Sequence, residues 1–355
     1  MSASSFAIYR LPHTDVATFI QQTEGAPAEL HSCTELNGRS GFVVAPFEVT
    51  EEQPLLLIRP DVVRQIPVSD VASLLSFEAP TFSPHASKAT KSTYAIDFAN
   101  YHSQLQLGTF QKIVLARCVD ESSDAAINPL TLFRRACDLY PRMFISLVST
   151  PQSGIWLTAT PEILLQGINH QWRTIALAGT MKLEGEGLLG EGESTSWSIK
   201  NIKEQRYVST YITECLEQYT SDFREEGPTT VRAADLVHLR SDFTFTLPDH
   251  QHIGDLLQTL HPTPAVCGLP KRDAFKFITH NEHTPRRYYS GFMGMLNPDG
   301  DTHLYVSLRC MNIEGNYYHL YAGGGLLKDS VMEQEWQETE AKLQTMRRCL
   351  AIKKM

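Results

Sequence analysis

YSGFMGMLNPDGDTHLYVSLRCMNIEGNYYHLYAGG, Tyr289 to Gly324, is three apolar, alternating runs separated by Asn297-Pro298-Asp299-Gly300 and Glu314-Gly315-Asn316. A period of two marks strands with one buried face, and Asn, Pro, Asp and Gly are the residues that turn a chain between strands. The stretch predicts an antiparallel meander with short turns. Further upstream, MFISLVST, GIWLTATPEILLQ and WRTIALAGT alternate in the same way, as does FQKIVLARCV. The first 75 or so residues hold short apolar runs such as GFVVAPF and LLLIRP, which read as further strands.

Helical patterns occupy separate blocks. YAIDFANYHSQLQLG ends at Gly108, NPLTLFRRACDLYP is short and stops at a proline, and the longest runs from about Thr195 to Tyr219. A last helix follows Gly325, with Ser330 and Glu333 spaced as a capping box. Strands joined by hairpins and helices kept apart give an α+β class: a large, mostly antiparallel sheet or sheets flanked by helices. FEAPTFSPHASKATKS, Phe77 to Ser92, reads as an exposed connection, and LEGEGLLGEGES as a loop before the longest helix. Residues 1–92 are expected to be a variable part packed onto the same fold, and 93–355 the catalytic domain.

The 355 residues are 42% hydrophobic and 20% charged, enough apolar material for a substantial core. A formal net charge of −9 without a long Lys/Arg run excludes nucleic acid as the main partner. No apolar run approaches the ~20 residues of a membrane span, and the N-terminus lacks the pattern of a secretion signal. A cytoplasmic monomer acting on a small molecule is expected. The seven cysteines are scattered without a C-x-x-C pair, which fits reduced, buried thiols.

Several charged residues sit in unusual patterns. In EWQETEAK, Glu335, Glu338 and Lys342 lie at i, i+3 and i+7, within roughly 60° of one another on a helix and beside an apolar stripe of Trp336, Leu343, Met346 and Leu350. A solvated face explains this spacing, and so does a cation site. Glu204 in NIKEQRYV has apolar neighbours on either side, and carboxylates from two distant helices suit a hard divalent ion such as Mg²⁺. Lys112 shares a strand face with Phe110, Val114 and Ala116, which fits either a base with a pKa lowered by burial or an edge lysine reaching water. Glu162 follows Pro161 at a strand break, where a buried carboxyl can stay protonated and act as an acid. AGGGLLKDS lacks a phosphate-loop pattern and fits either a tight turn or backbone amides offered to a carboxylate. The pairs His250/His252 and His280/His283 read as surface residues.

Taken together, KIVLAR, TPEILL, ALAGT, KEQRYV, LHPTPAVCGLP, YSGFMG, SLRCMNIEGN, AGGGL and EWQETEAKL resemble, in order and spacing, the chorismate-binding enzymes: the isochorismate, salicylate, anthranilate and aminodeoxychorismate synthases. The resemblance spans about Tyr94 to Leu350. Lys at the KIVLAR position, where ammonia-using members typically carry Gln, and HPTPA are most similar to the isochorismate synthases, with salicylate synthase as the alternative. The resemblance implies Lys112 as the base that activates water and Glu162 as the acid that protonates the departing hydroxyl. It also implies Mg²⁺ held by Glu204 and Glu338, with Glu335 acting through water. Substrate contacts would fall to Gly179, Thr180, His238, Ala265, Arg309, Gly323, Gly324, Gly325 and Lys342. Three positions depart from the family pattern: Asn201 stands for Asp, Gln205 for His, and Val266 for Leu.

Overall fold

A computed structural model describes residues 5–74, 90–182, 197–233, 236–249 and 251–350. The Leu183–Ser194 loop, the Thr195 start of the long helix, His250 and most of the Phe77–Ser92 connection lie outside the described residues.

The strands form two nine-stranded sheets in which every recorded pairing is antiparallel. The first sheet runs, in spatial order, Gly268–Leu269, Lys112–Ser122, Tyr317–Leu326, Cys310–Glu314, Gly154–Thr160, Phe144–Thr150, Ser5–Arg10, Val16–Gln22 and Val62–Pro67. The second runs Phe223–Ala233, Leu236–Phe245, Gln171–Lys182, Ile163–Ile168, Thr302–Val306, Phe292–Leu296, Gly41–Ala45, Leu55–Ile58 and Ala28–Leu30. Residues 5–67 thus extend both sheets, through Ser5–Arg10 beside Phe144–Thr150 and Gly41–Ala45 beside Phe292–Leu296.

Side-chain alternation builds three layers of core. In Ser5–Arg10, Ala7 and Tyr9 face a cluster with Phe42, Trp156 and Tyr305 between the sheets. Phe6 and Ile8 face outward, against Phe133 and Leu343 from helices α2 (Pro129–Leu139) and α6 (Met332–Leu350). On the second sheet's outer face, Val208, Ile212 and Leu216 of α3 (Ile199–Leu216) pack on Trp172 and Phe243, with Leu256 and Leu257 of α4 (Ile253–Leu260) beside them. Helices α1 (Lys91–Gln106) and α5 (Lys271–Asn281) close the Lys112 edge around Phe110, Ile113 and Leu115. None of the described helices is long and apolar enough to cross a membrane.

Local chemistry sets the helix ends. Thr90 Oγ1 accepts from the Thr93 amide and Asn128 Oδ1 from the Leu130 amide, opening α1 and α2. Gly108, at φ +75°, ends the first helix block in a conformation costly for other residues. The expected capping box at α6 is replaced by other pairings. Ser330 Oγ accepts from the Leu327 amide, while Glu333 pairs with Lys91 at 2.7 Å.

Two expectations about strands are corrected. LYVSLRCMNI is two strands rather than one: Thr302–Val306 belongs to the second sheet and Cys310–Glu314 to the first, with Arg309 at φ +45° in the crossing. The C-terminal third is therefore two hairpins in facing sheets, because a strand that switches sheets must bend sharply at the corner. Thr160-Pro161-Glu162 makes a second such crossing, and the two run side by side. The Val306 amide donates to Glu162 O at 2.9 Å and the Ala159 amide to Arg309 O at 3.1 Å. The glycine run is likewise not a turn into the helix; Gly323, Gly324 and Gly325 pair with Ala116, Leu115 and Val114 inside the strand Tyr317–Leu326.

Candidate active site

The sheet crossings bring together chemistry from four distant segments. Glu162 and Arg309 come from the paired crossings, Lys112 from the start of its strand, and Gly323 and Gly325 from the neighbouring strand. Glu162, Arg309, Gly323 and Gly325 line one cavity with Gly179, Thr180, Glu204, His238, Ala265 and Lys342, and Lys112 lies buried behind its wall, against Glu204. Ten of the fourteen candidate residues share it. The other four are Lys112, Gly324, Glu335 and Glu338: Lys112 pairs with the cavity-lining Glu204, and a methyl group on Gly324 would lie 3.4 Å from Glu335 Oε2 and 3.7 Å from Glu338 Oε1.

Lys112 is fully buried, so the exposed-edge reading is set aside. Its Nζ lies 2.9 Å from Glu204 Oε1, an ion-pair contact. Gly325 makes this approach possible. A methyl group there would lie 2.8 Å from Lys112 Cε and would run into the Glu204 carboxylate. Burial pushes the Glu204 pKa up, but Lys112, Lys200 and Lys342 outweigh it and hold the group below its ordinary value. Glu162 takes the opposite course: burial raises it to about 8, against a partial pull downward from Lys112, Lys342 and Arg309. At neutral pH it is a protonated carboxyl.

Arg309 is buried without a carboxylate partner among its recorded contacts. Its guanidinium reaches Thr345 Oγ1 at 3.4 Å and His238 Nε2 at 3.4 Å. His238 Nδ1 lies 3.2 Å from Gly179 O, which only accepts, so Nδ1 carries the proton and Nε2 accepts from Arg309. Burial and the charges of Arg309 and Lys342 hold the ring well below its ordinary pKa and therefore neutral. Gly179, at φ +68°, sits at a bulge between Ala178 and Thr180, and a side chain there would press on Asn201 of α3 at 3.1 Å. Gln205 beside it is buried and donates to Ala176 O at 3.0 Å, tying α3 to the sheet without a charge.

The helix edge of Glu335, Glu338 and Lys342 faces the cavity rather than water. Glu335 is 1% exposed, Lys342 Nζ bonds Glu338 Oε1 at 2.6 Å and Gly323 O at 2.8 Å, and Lys200 Nζ pairs with Glu335 Oε1. Burial and the charge of Glu338 raise the Glu335 pKa, opposed by Lys200. Glu335 Oε2 is buried with no hydrogen-bond partner. Three carboxylates, one with an orphaned oxygen, form an all-oxygen donor set that fits a hard divalent cation. Each carboxylate is drawn to its own lysine instead of to a common point. Among the described residues, the three-donor group within 4.8 Å is Cys118, Asp120 and His319, in a separate cleft. There His319 Nδ1 lies 2.6 Å from Asp120 Oδ1 and Nε2 3.5 Å from Glu314 Oε2, so both ring nitrogens already have carboxylate neighbours.

The family profile described as chorismate binding enzyme matches residues 60–351. The chain belongs to the chorismate-binding enzyme family. Isochorismate synthase EntC of Escherichia coli is 30% identical over 238 residues, 66% of this chain and 61% of EntC. Isochorismate synthase MenF of the same organism is 31% identical over 247 residues, 69% of this chain and 57% of MenF. The matched stretch thus spans about three-fifths of each relative's length. Among solved structures, DhbC from Bacillus anthracis covers 98% of this chain and 96% of its own at TM-score 0.80 and 24% identity. MenF from E. coli covers 99% and 89% at TM-score 0.78 and 23% identity. At such identities the structures establish the fold, which this chorismate-binding enzyme shares.

Sequence reading missed other residues at this candidate site of the family member. Tyr289 and Leu308 line the cavity, Thr345 meets Arg309, and Lys200 pairs with Glu335. Lys200 stands one helical turn before Glu204, a spacing that would have placed it on the same face. His252 and His283 are exposed, paired with the exposed Asp249 and the buried Asp97, in line with the surface reading of those histidines.

Proposed function

We propose that the protein is an isochorismate synthase, a Mg²⁺-dependent isomerase that converts chorismate to isochorismate for menaquinone or siderophore synthesis. The observation that carries this reading is the protonated carboxyl of Glu162 and the Arg309 guanidinium on one cavity, with the buried amine of Lys112 held just behind its wall by Glu204. Chorismate has two carboxylates and a hydroxyl at C4. Arg309 suits the enolpyruvyl carboxylate, because a planar guanidinium can donate two parallel hydrogen bonds. Lys342 suits the ring carboxylate, with the backbone of Gly179, Thr180 and Gly323 to Gly325 and the neutral His238 lining the remaining wall.

In the proposed reaction Lys112 takes a proton from a water held near Ala265, and that oxygen bonds to C2. The ring double bonds shift, the C4–O bond breaks, and Glu162 gives its proton to the departing hydroxyl. One water enters and one leaves, so the net change is an isomerisation. The base role needs the Nζ lone pair free, and the acid role needs Glu162 protonated, which holds below about pH 8. Glu204 and Glu338, with Glu335 through water, would hold Mg²⁺, which when bound supplies positive charge against the ring carboxylate.

Residues 1–92 serve in this reading as added strands and support for a catalytic part at 93–355, in a cytoplasmic monomer. The test is product analysis. Purified protein with chorismate and Mg²⁺ should yield isochorismate without pyruvate. Pyruvate with salicylate would make it a salicylate synthase, and an absence of turnover would refute the assignment.

A further inference from the structure

We propose that Lys200 is a built-in competitor for the divalent cation: its ammonium occupies Glu335 when the ion is absent and must withdraw when the ion binds. The inference rests on the Mg²⁺ reading of Glu204, Glu335 and Glu338. Three lysines face these three carboxylates, and each takes one: Lys112 with Glu204, Lys342 with Glu338 and Lys200 with Glu335. Lys342 lines the cavity and Lys112 is wholly buried behind it, so neither ammonium has open water to retreat to. Lys200 does not line it, and its side chain is 26% exposed, so water is open to it once displaced. Glu335 is different. Its side chain is 1% exposed and its second oxygen has no partner, so it requires a positive neighbour whichever cation supplies one. Lys200 and Glu204 stand one turn apart on α3, so the competing ammonium is delivered by the same helix that delivers a metal carboxylate.

A positively charged side chain that is lost from its partner when the ion enters lowers the ion's apparent affinity, and removing it returns that affinity. The experiment titrates Mn²⁺, a spin probe for a Mg²⁺ site, into wild type, Lys200→Met and Lys200→Arg, reading free ion by electron paramagnetic resonance. Thermal melts of each protein in EDTA and in Mg²⁺ accompany the titrations. Lys200→Met should bind Mn²⁺ about fivefold more tightly than wild type, the equivalent of one partly exposed ion pair, and Lys200→Arg should stay near wild type. Lys200→Met should also melt lower than wild type in EDTA, where Glu335 is left alone, and recover more of its Tm on adding Mg²⁺. Equal or weaker Mn²⁺ binding by a folded Lys200→Met overturns the proposal and leaves the metal reading intact. Failure of every protein, wild type included, to bind Mn²⁺ overturns both.

Discussion

Replacing Glu162 by glutamine should stabilise the protein while disabling it. Burial lifts the Glu162 carboxyl from its ordinary 4.5 to about 8, even against Lys112, Lys342 and Arg309. An unfolded chain releases this proton near the ordinary value, the folded protein only near the raised one. The native state is therefore under no penalty from Glu162 below the lower pKa and loses stability as pH rises through the window between them. The slope is about 1.4 kcal/mol per pH unit, so the accumulated deficit near pH 8 is on the order of 4 kcal/mol. Glutamine has nearly the same volume and no proton to lose, so it escapes the deficit. Calorimetric melts of wild type and Glu162→Gln across about pH 5 to 9 should diverge, with the wild type falling relative to the variant as pH rises. In the same preparations turnover of chorismate should drop by about 10²–10⁴-fold, the usual contribution of a positioned acid. Parallel Tm profiles would mean that Glu162 is already ionised in the folded protein at neutral pH, and the acid role would be refuted.

Other perturbations probe the remaining groups. Lys112→Ala should abolish turnover yet leave chorismate binding measurable by calorimetric titration, whereas Glu338→Ala should weaken the Mg²⁺-dependent part of that binding; matching activity in the two variants would contradict the division of roles. Arg309→Lys keeps the charge but loses the planar fork, and should raise the KM for chorismate by about tenfold or more. Gly325→Ala places a methyl group between Lys112 and Glu204, so steady-state assays should register a large fall in kcat with only a small change in Tm. Trp156→Ala, at the centre of the inter-sheet core, should lower stability by about 3–5 kcal/mol in denaturant unfolding.

Much of this molecule is legible from sequence because short-range rules govern it. The alternation in Tyr289–Gly324 announced antiparallel strands, Gly108 and Pro141 marked helix ends, and the spacing of Glu335, Glu338 and Lys342 placed them on one edge of α6. The run of family motifs carried the candidate site residues, ten of which the fold gathers around one cavity. Which face of α6 meets water was not legible, since period alone gives a face but not its neighbour. Nor was the change of sheet within LYVSLRCMNI: its alternation continues through Ser307–Arg309 while the backbone turns a corner. The pairing of each lysine with one carboxylate likewise arises only where α3, α6 and two adjacent strands converge. Local pattern determines what each segment prefers to be; the displaced pKa of Glu162 and the lysine partner of each carboxylate depend on burial and distance between segments far apart in the chain, and those exist only once the two sheets have closed on each other.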